Sequence, residues 1–148
     1  MGDTLSGDEF AELLAQFNAN AKPTTDAKYE IRLRTVSGHF VLELSGMLLQ
    51  NVPSEFEARL AAVYARRPVR HAIVDLSQVT YISSAVMGFL HGFFRNAMER
   101  NDQVVLIRPN EKVERMMRLV GLNHLFLIVD SIDLAVEHYR TAYGDGGI

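Results

Sequence analysis

The sequence contains no cysteine, which excludes a disulfide scaffold, a thiolate metal site and a cysteine nucleophile. No apolar run approaches the roughly eighteen residues that a bilayer span requires. Met1-Gly2-Asp3-Thr4 does not open a basic and then apolar signal segment. A cytoplasmic protein with no membrane association is therefore expected. A basic body is also missing. Up to Ala27 the acids Asp3, Asp8, Glu9, Glu12 and Asp26 face only Lys22, and the rest of a chain of net charge −3 is nearly neutral. Nucleic acid calls for a positive face that follows phosphates, so direct binding to it is not expected. Neither G-x-G-x-x-G nor a Walker lysine loop is present, which leaves nucleotide sites without support. His39, His71, His91, His124 and His138 include no i, i+4 pair on a helix. Neither a metal nor a tightly bound cofactor is expected from them.

What remains is the balance of an ordinary globule: 148 residues, 48% of them hydrophobic and 22% charged. One domain of that length buries about two-thirds of its unfolded surface, enough to fold without a staple.

The chain begins with a helix of its own. Ser6 and Glu9 form a capping box, and Phe10, Leu13, Leu14 and Phe17 then recur at i, i+3, i+4 and i+7. Asn18 to Asp26 reads as a linker. A lone helix this short is marginal in water, so its stripe must pack on something. Docking on its own domain is favoured over a partner contact or a homodimer through this helix.

The body opens with strands. Tyr29, Ile31 and Leu33 alternate with Glu30, Arg32 and Arg34, Ser37-Gly38 supplies a turn, and Phe40 to Leu44 returns, giving a hairpin. Pro53 and Ser54 then open a helix carrying Phe56, Leu60, Val63 and Tyr64, which Pro68 ends. Three β-then-α units follow. Ala72 to Val74 is a short strand before a helix capped by Ser83 or Ser84 and lined by Val86, Phe89, Leu90, Phe93 and Ala97. Val104 to Ile107 precedes a helix from Asn110 with Val113, Met116, Met117 and Val120, stopped by Gly121. Leu125 to Val129 precedes a helix capped by Ser131 and carrying Leu134, Ala135 and Tyr139. The expected fold is α/β, a mixed, mostly parallel sheet with helices on its faces. Residues 1–27 form the N-terminal helix and linker, 28–141 the domain, and 142–148 a flexible tail.

Ser84 at a strand-to-helix turn, with Asp75 upstream and His124 downstream, raises a serine hydrolase as a remote alternative. A nucleophile elbow needs small residues around its serine, and Ile82 and Val86 stand in their places. A serine that caps a helix explains Ser84 more simply.

The segment from Val74 to Gly88, with Asp75-Leu76-Ser77 and then Ser83-Ser84-Ala85-Val86-Met87-Gly88, resembles the STAS family, the anti-sigma factor antagonists and their relatives. Leu119-Val120-Gly121-Leu122, Leu125-Phe126 and Ser131 to Ala135 are similar to the family's closing pattern, and the likeness runs from about Tyr29 to Tyr139. The resemblance implies a binding module without enzyme activity. Its partners would be an anti-sigma factor that is itself a serine kinase, and a serine phosphatase. The unphosphorylated form would bind the kinase, and phosphorylation would break the complex. Position by position, Ser84 falls on the phosphoacceptor, with Ser83 as a second candidate. Ser83 itself stands on the preceding acid, Ala85 on a second hydroxyl residue, Val86 on a glycine and Gly88 on the second glycine. Leu49 stands where the family often has an acid. Ser83, Ser84, Met87, His91 and Phe94 are the expected partner surface, Met87 and Phe94 as an exposed apolar patch beside Ser84; the equal alternative for Met87, His91 and Phe94 is packing against a neighbouring helix. The alternative within the family is a scaffold, in a stress-signalling or transport-associated assembly, whose serine is not phosphorylated.

Overall fold

Tyr29, Ile31 and Leu33 turn inward, and Glu30, Arg32 and Arg34 outward, along strand β1 (Tyr29–Val36). The turn Ser37-Gly38 carries positive φ at both residues, 52° and 81°. Its twist matches that of paired strands and returns the chain as β2 (His39–Leu48), antiparallel to β1. In the computed structural model, residues 6–20, 29–48, 55–66 and 71–143 are described. Pro53, Ser54 and Pro68, Leu49 and the glycine-rich tail lie outside them.

Helix α2 (Glu55–Ala65) leads to β3 (Ala72–Ile82), α3 (Ser84–Glu99), β4 (Val104–Ile107), α4 (Glu111–Leu119), β5 (Leu127–Val129) and α5 (Ile132–Tyr143). The sheet order is β1-β2-β3-β4-β5, with only the β1–β2 pair antiparallel. This is the α/β architecture with a mixed, mostly parallel sheet.

Alternation along the strands splits the core in two. Leu42, Val74 and Leu106 face one side, packed by α2, α3, α4 and the N-terminal helix α1 (Gly7–Asn20). Val41, Ile73, Val105 and Ile107 face the other, covered by Ala135 and Tyr139 of α5.

The capping box of α1 is closed as its sequence requires. The Ser6 amide donates to Glu9 Oε1 at 3.0 Å, and the Glu9 amide to Ser6 Oγ at 3.3 Å. Phe10, Leu14 and Phe17 are buried in the main core with Ile31, Leu33 and Phe40. The stripe therefore docks on its own domain, and the surface that a homodimer through this helix would use is occupied within the chain. Asn18 adds a polar clamp: its side-chain amide donates to Leu33 O and accepts from Leu33 N, both at 2.8 Å.

Five expectations are corrected. Helix α1 runs to Asn20, so Asn18 to Asn20 belong to it and not to a linker. Strand β3 runs to Ile82 rather than stopping at Val74. Beyond Asp75 it gains two extra residues relative to β2, where Glu43 pairs with Asp75 but Ser45 with Gln78, and Gly46 with Val79 but Met47 with Tyr81. Each bulge shifts the pleat, so Leu76, Val79 and Ile82 are buried at a spacing of three that does not read as a strand. Strand β5 begins at Leu127, because Leu122–His124 forms a 3-10 turn and Phe126 folds into the core. Val120 and Leu134, expected on buried stripes, are exposed. Helix α5 continues through Tyr143, so Ala142 and Tyr143 belong to it and not to a tail.

Candidate functional site

The carboxyl end of the central strand β3 delivers the chain into α3 through Ser83 and Ser84, and the two serines divide the work. Ser83 has extended backbone and is the cap: its Oγ accepts the Val86 amide at 3.2 Å, and its own amide donates to Leu48 O at 2.8 Å. It is 8% exposed. Ser84 is the first residue of the helix and exposed. The capping role proposed for Ser84 thus falls on its neighbour. In the first turn the Val86 amide is taken by Ser83 Oγ and the Met87 amide by Ser83 O. The Ser84 and Ala85 amides precede the first intrahelical acceptor, at the positive end of the helix dipole.

The stripe Val86, Phe89, Leu90, Phe93 and Ala97 is buried against the sheet as expected. Met87 joins it at 7% exposure, and Phe94 is half-buried, edge-to-face on Phe126 with centroids 5.0 Å apart. The exposed apolar patch expected of Met87 and Phe94 is therefore not formed. The inward face of α3 is wider than one stripe because the loop around Phe126 packs on its flank. What the helix turns to solvent is small: Ser84, Ala85, Gly88 and Gly92 are exposed. A Cβ added at Gly88 would meet nothing within 4 Å. Beside them the Arg95 guanidinium donates to Nδ1 of the half-buried His91 at 3.2 Å.

Around this helix start lie residues that the sequence did not point to. Met47, at the end of β2 and 38% exposed, pairs with Tyr81 of β3. The Lys112 ammonium stands 5.7 Å from the centre of the Tyr81 ring. Lys112 is held there because Asn110 caps α4 through the Val113 amide at 2.8 Å while donating to Val79 O at 3.1 Å, which ties α4 to β3. The asparagine cap was legible in the sequence; its second bond to the bulged strand was not.

The constellation of a serine hydrolase is not assembled among the described residues. Asp75 Oδ1 accepts both the amide and the hydroxyl of Ser77, at 2.9 and 2.7 Å, and orients no histidine. His124 is an exposed residue of the 3-10 turn. Neither is hydrogen-bonded to Ser84.

A mixed sheet with an exposed serine at the start of the helix after its central strand defines a class of small α/β domain. The family model described as Mlab, STAS domain matches residues 31–130, and the chain belongs to that family. A candidate anti-sigma factor antagonist of Thermotoga maritima is 34% identical over 65 residues, 44% of this chain. The chain spans only 58% of that relative's length. The anti-sigma factor antagonist SpoIIAA in its unphosphorylated form shares the fold with a TM-score of 0.65 at 18% identity, over 75% of this chain and 96% of that one. The phosphorylated form of SpoIIAA, a Bacillus cell fate determinant, gives 0.59 at 16% identity, over 74% and 99%. Helix α1 precedes the family match.

Proposed function

We propose that the protein is an anti-sigma factor antagonist that works by binding, and that phosphorylation of Ser84 switches it off. The carrying observation is the division of labour between the two serines. Ser83 holds the helix cap and Ser84 is exposed, its hydroxyl making no hydrogen bond among the described residues. A phosphate on Ser84 adds nearly two negative charges beside free amides and the positive dipole end, which accommodate it without rearranging the backbone. On a partner docked over this helix, the same charge imposes desolvation and repulsion at the centre of the contact. The partner is an anti-sigma factor with serine kinase activity, and a serine phosphatase restores the binding form. Ser83 is the poorer acceptor, since its Oγ is buried and engaged.

The partner surface in this reading is the solvent face of α3: Ser84, Ala85, Gly88 and the His91–Arg95 pair, flanked by Met47, Tyr81 and Lys112. Ser83 supports it from beneath, and Met87 and Phe94 hold α3 in place rather than touching the partner. The Lys112 charge on the neighbouring helix favours an acidic partner face.

The test is binding and phosphorylation with the cognate kinase and ATP. Phosphate is expected on Ser84. Ser84→Ala should bind constitutively, and Ser84→Asp weakly, by about 2 kcal/mol or roughly thirtyfold in affinity. Kinase and ATP leaving Ser84 unmodified, or Ser84→Asp binding like wild type, overturns the switch. A second reading then takes over, a STAS scaffold in a stress-signalling or transport-associated assembly. It is favoured by the match to the Mlab, STAS domain model and by Val86 standing where the resemblance expects a glycine.

A further inference from the structure

At the other end of the sheet, where the parallel strands begin, three imidazoles converge on one buried phenol. Tyr139 of α5 is fully buried, and its hydroxyl is shared between Ala72 O at 2.6 Å and Gln103 O at 3.0 Å. His39, the first residue of β2, and His71, just before β3, both stack on its ring with centroids 5.3 Å away. His138 is tilted against it at 5.5 Å, and Tyr143 stacks on His71 at 4.1 Å. Gln103 ties the group together. Its backbone amide donates to His71 Nδ1 at 2.8 Å, and its Oε1 meets His138 Nε2 at 3.2 Å and the Tyr143 hydroxyl at 3.1 Å.

Two features mark this cluster as more than packing. His39 is 3% exposed, and its Nδ1 has no hydrogen-bond partner. His71 is 2% exposed and holds a left-handed backbone with φ 71°, a conformation that disfavours residues bearing a Cβ.

We propose that the His39–Tyr139–His71 stack is an acid-sensitive latch: protonation of these imidazoles releases α5 from the second face of the sheet. Each fits only as the neutral ring. A second proton on His39 Nδ1 would be a buried charge with no acceptor. A proton on His71 Nδ1 would set N–H against the N–H of Gln103. Among the described residues, the titratable and charged groups around the stack are His39 from β2, His71 from the entry to β3, Asp102 before β4, and His138, Tyr139 and Tyr143 from α5, with the exposed Glu137–Arg140 pair alongside. Asp102 Oδ2 accepts the Tyr64 hydroxyl at 2.8 Å.

Burial holds the His39 imidazole below its ordinary value of 6.5. The docked state therefore binds fewer protons than the released one below that value. Docking is at full strength above pH 6.5 and weakens as pH falls below it. Release uncovers Val41, Ile73, Val105 and Ile107, an apolar surface that is dry at neutral pH.

Hydrogen exchange of the full chain between pH 7.5 and 5.5, corrected for intrinsic rates, tests the latch. Residues 132–143 should open roughly tenfold more often at the lower pH while α3 and β3 keep their protection. His39→Phe, which keeps a ring on Tyr139 and cannot be charged, should remove most of that change. Unchanged exchange in 132–143 overturns the proposal, and so does opening of α3 and β3 in step with α5, or a His39→Phe protein that opens like wild type. Should His39→Phe fail to fold, the carbon-bound proton signals of His39 in the wild type decide. A titration midpoint below 6.5 that coincides with α5 opening supports the latch, and a midpoint at or above 6.5 overturns it.

Discussion

Ser83 and Ser84 are adjacent in sequence and opposite in environment: Ser83 Oγ holds the Val86 amide at 3.2 Å from a buried position, and Ser84 stands exposed one residue on. Their alanine variants should therefore separate. Ser83→Ala removes an N-cap and should cost about 1 kcal/mol of stability. Ser84→Ala should stay within about 0.5 kcal/mol of wild type. Urea denaturation of both proteins measures the difference, and equal losses would return the cap to Ser84.

Gly88 is exposed in mid-helix with open space where a Cβ would go. Nothing in the chain requires glycine there, and it weakens α3. Gly88→Ala should raise stability by about 0.5–1 kcal/mol. Gly88→Leu should fold equally well but bind the proposed kinase partner at least tenfold more weakly, as measured by titration calorimetry, because the added side chain stands on the proposed contact face.

Phe10 is buried in the core from a helix that the family match does not include. Phe10→Ala should cost about 3 kcal/mol or more. Removing all residues before Lys28 should lower the thermal midpoint yet leave a cooperative transition, since SpoIIAA, 96% of which is covered by this chain's alignment, has the same fold. A truncated chain with no cooperative transition would make α1 part of the minimal fold.

Tyr139 loses its ordinary ionisation because burial drives its pKa upward. The unfolded chain releases this proton near pH 10 while the folded one keeps it. The stability is fully present below that pH and is lost as pH rises through it. Tyr139→Phe should cost about 1–3 kcal/mol at neutral pH, by removing the buried hydroxyl donor that Ala72 O and Gln103 O share. It should also flatten the alkaline limb of the stability curve, which guanidinium titrations from pH 8 to 11 would record.

The helices were legible because one face of each is apolar at helical spacing and their caps are local. Ser6 with Glu9, Asn110 and Ser131 each make the bond their position implies. The length of β3 was hidden by its two bulges, which break the alternation that identifies a strand. The burial of Met87 and Phe94 was hidden for another reason. For Phe94 the cover comes in part from Phe126, a residue far along the chain whose approach no local period encodes. At the serines the sequence named the right pair, and only the backbone geometry could say which one caps.

The clamp between Asn18 and Leu33 has a bearing on how the protein survives at high concentration. A primary amide offers one donor and one acceptor side by side, the same pair that a peptide group presents, so Asn18 acts as a one-residue strand laid against the outer border of the sheet. Bare borders recruit strands from other molecules and seed insoluble assemblies. Here that border is sealed at its midpoint by the helix crossing it, and β5 on the far side is three residues long. Both ends of the sheet are thus poor templates for growth, and Asn18→Ala should reveal this first as turbidity in concentrated solution rather than as a lower melting temperature.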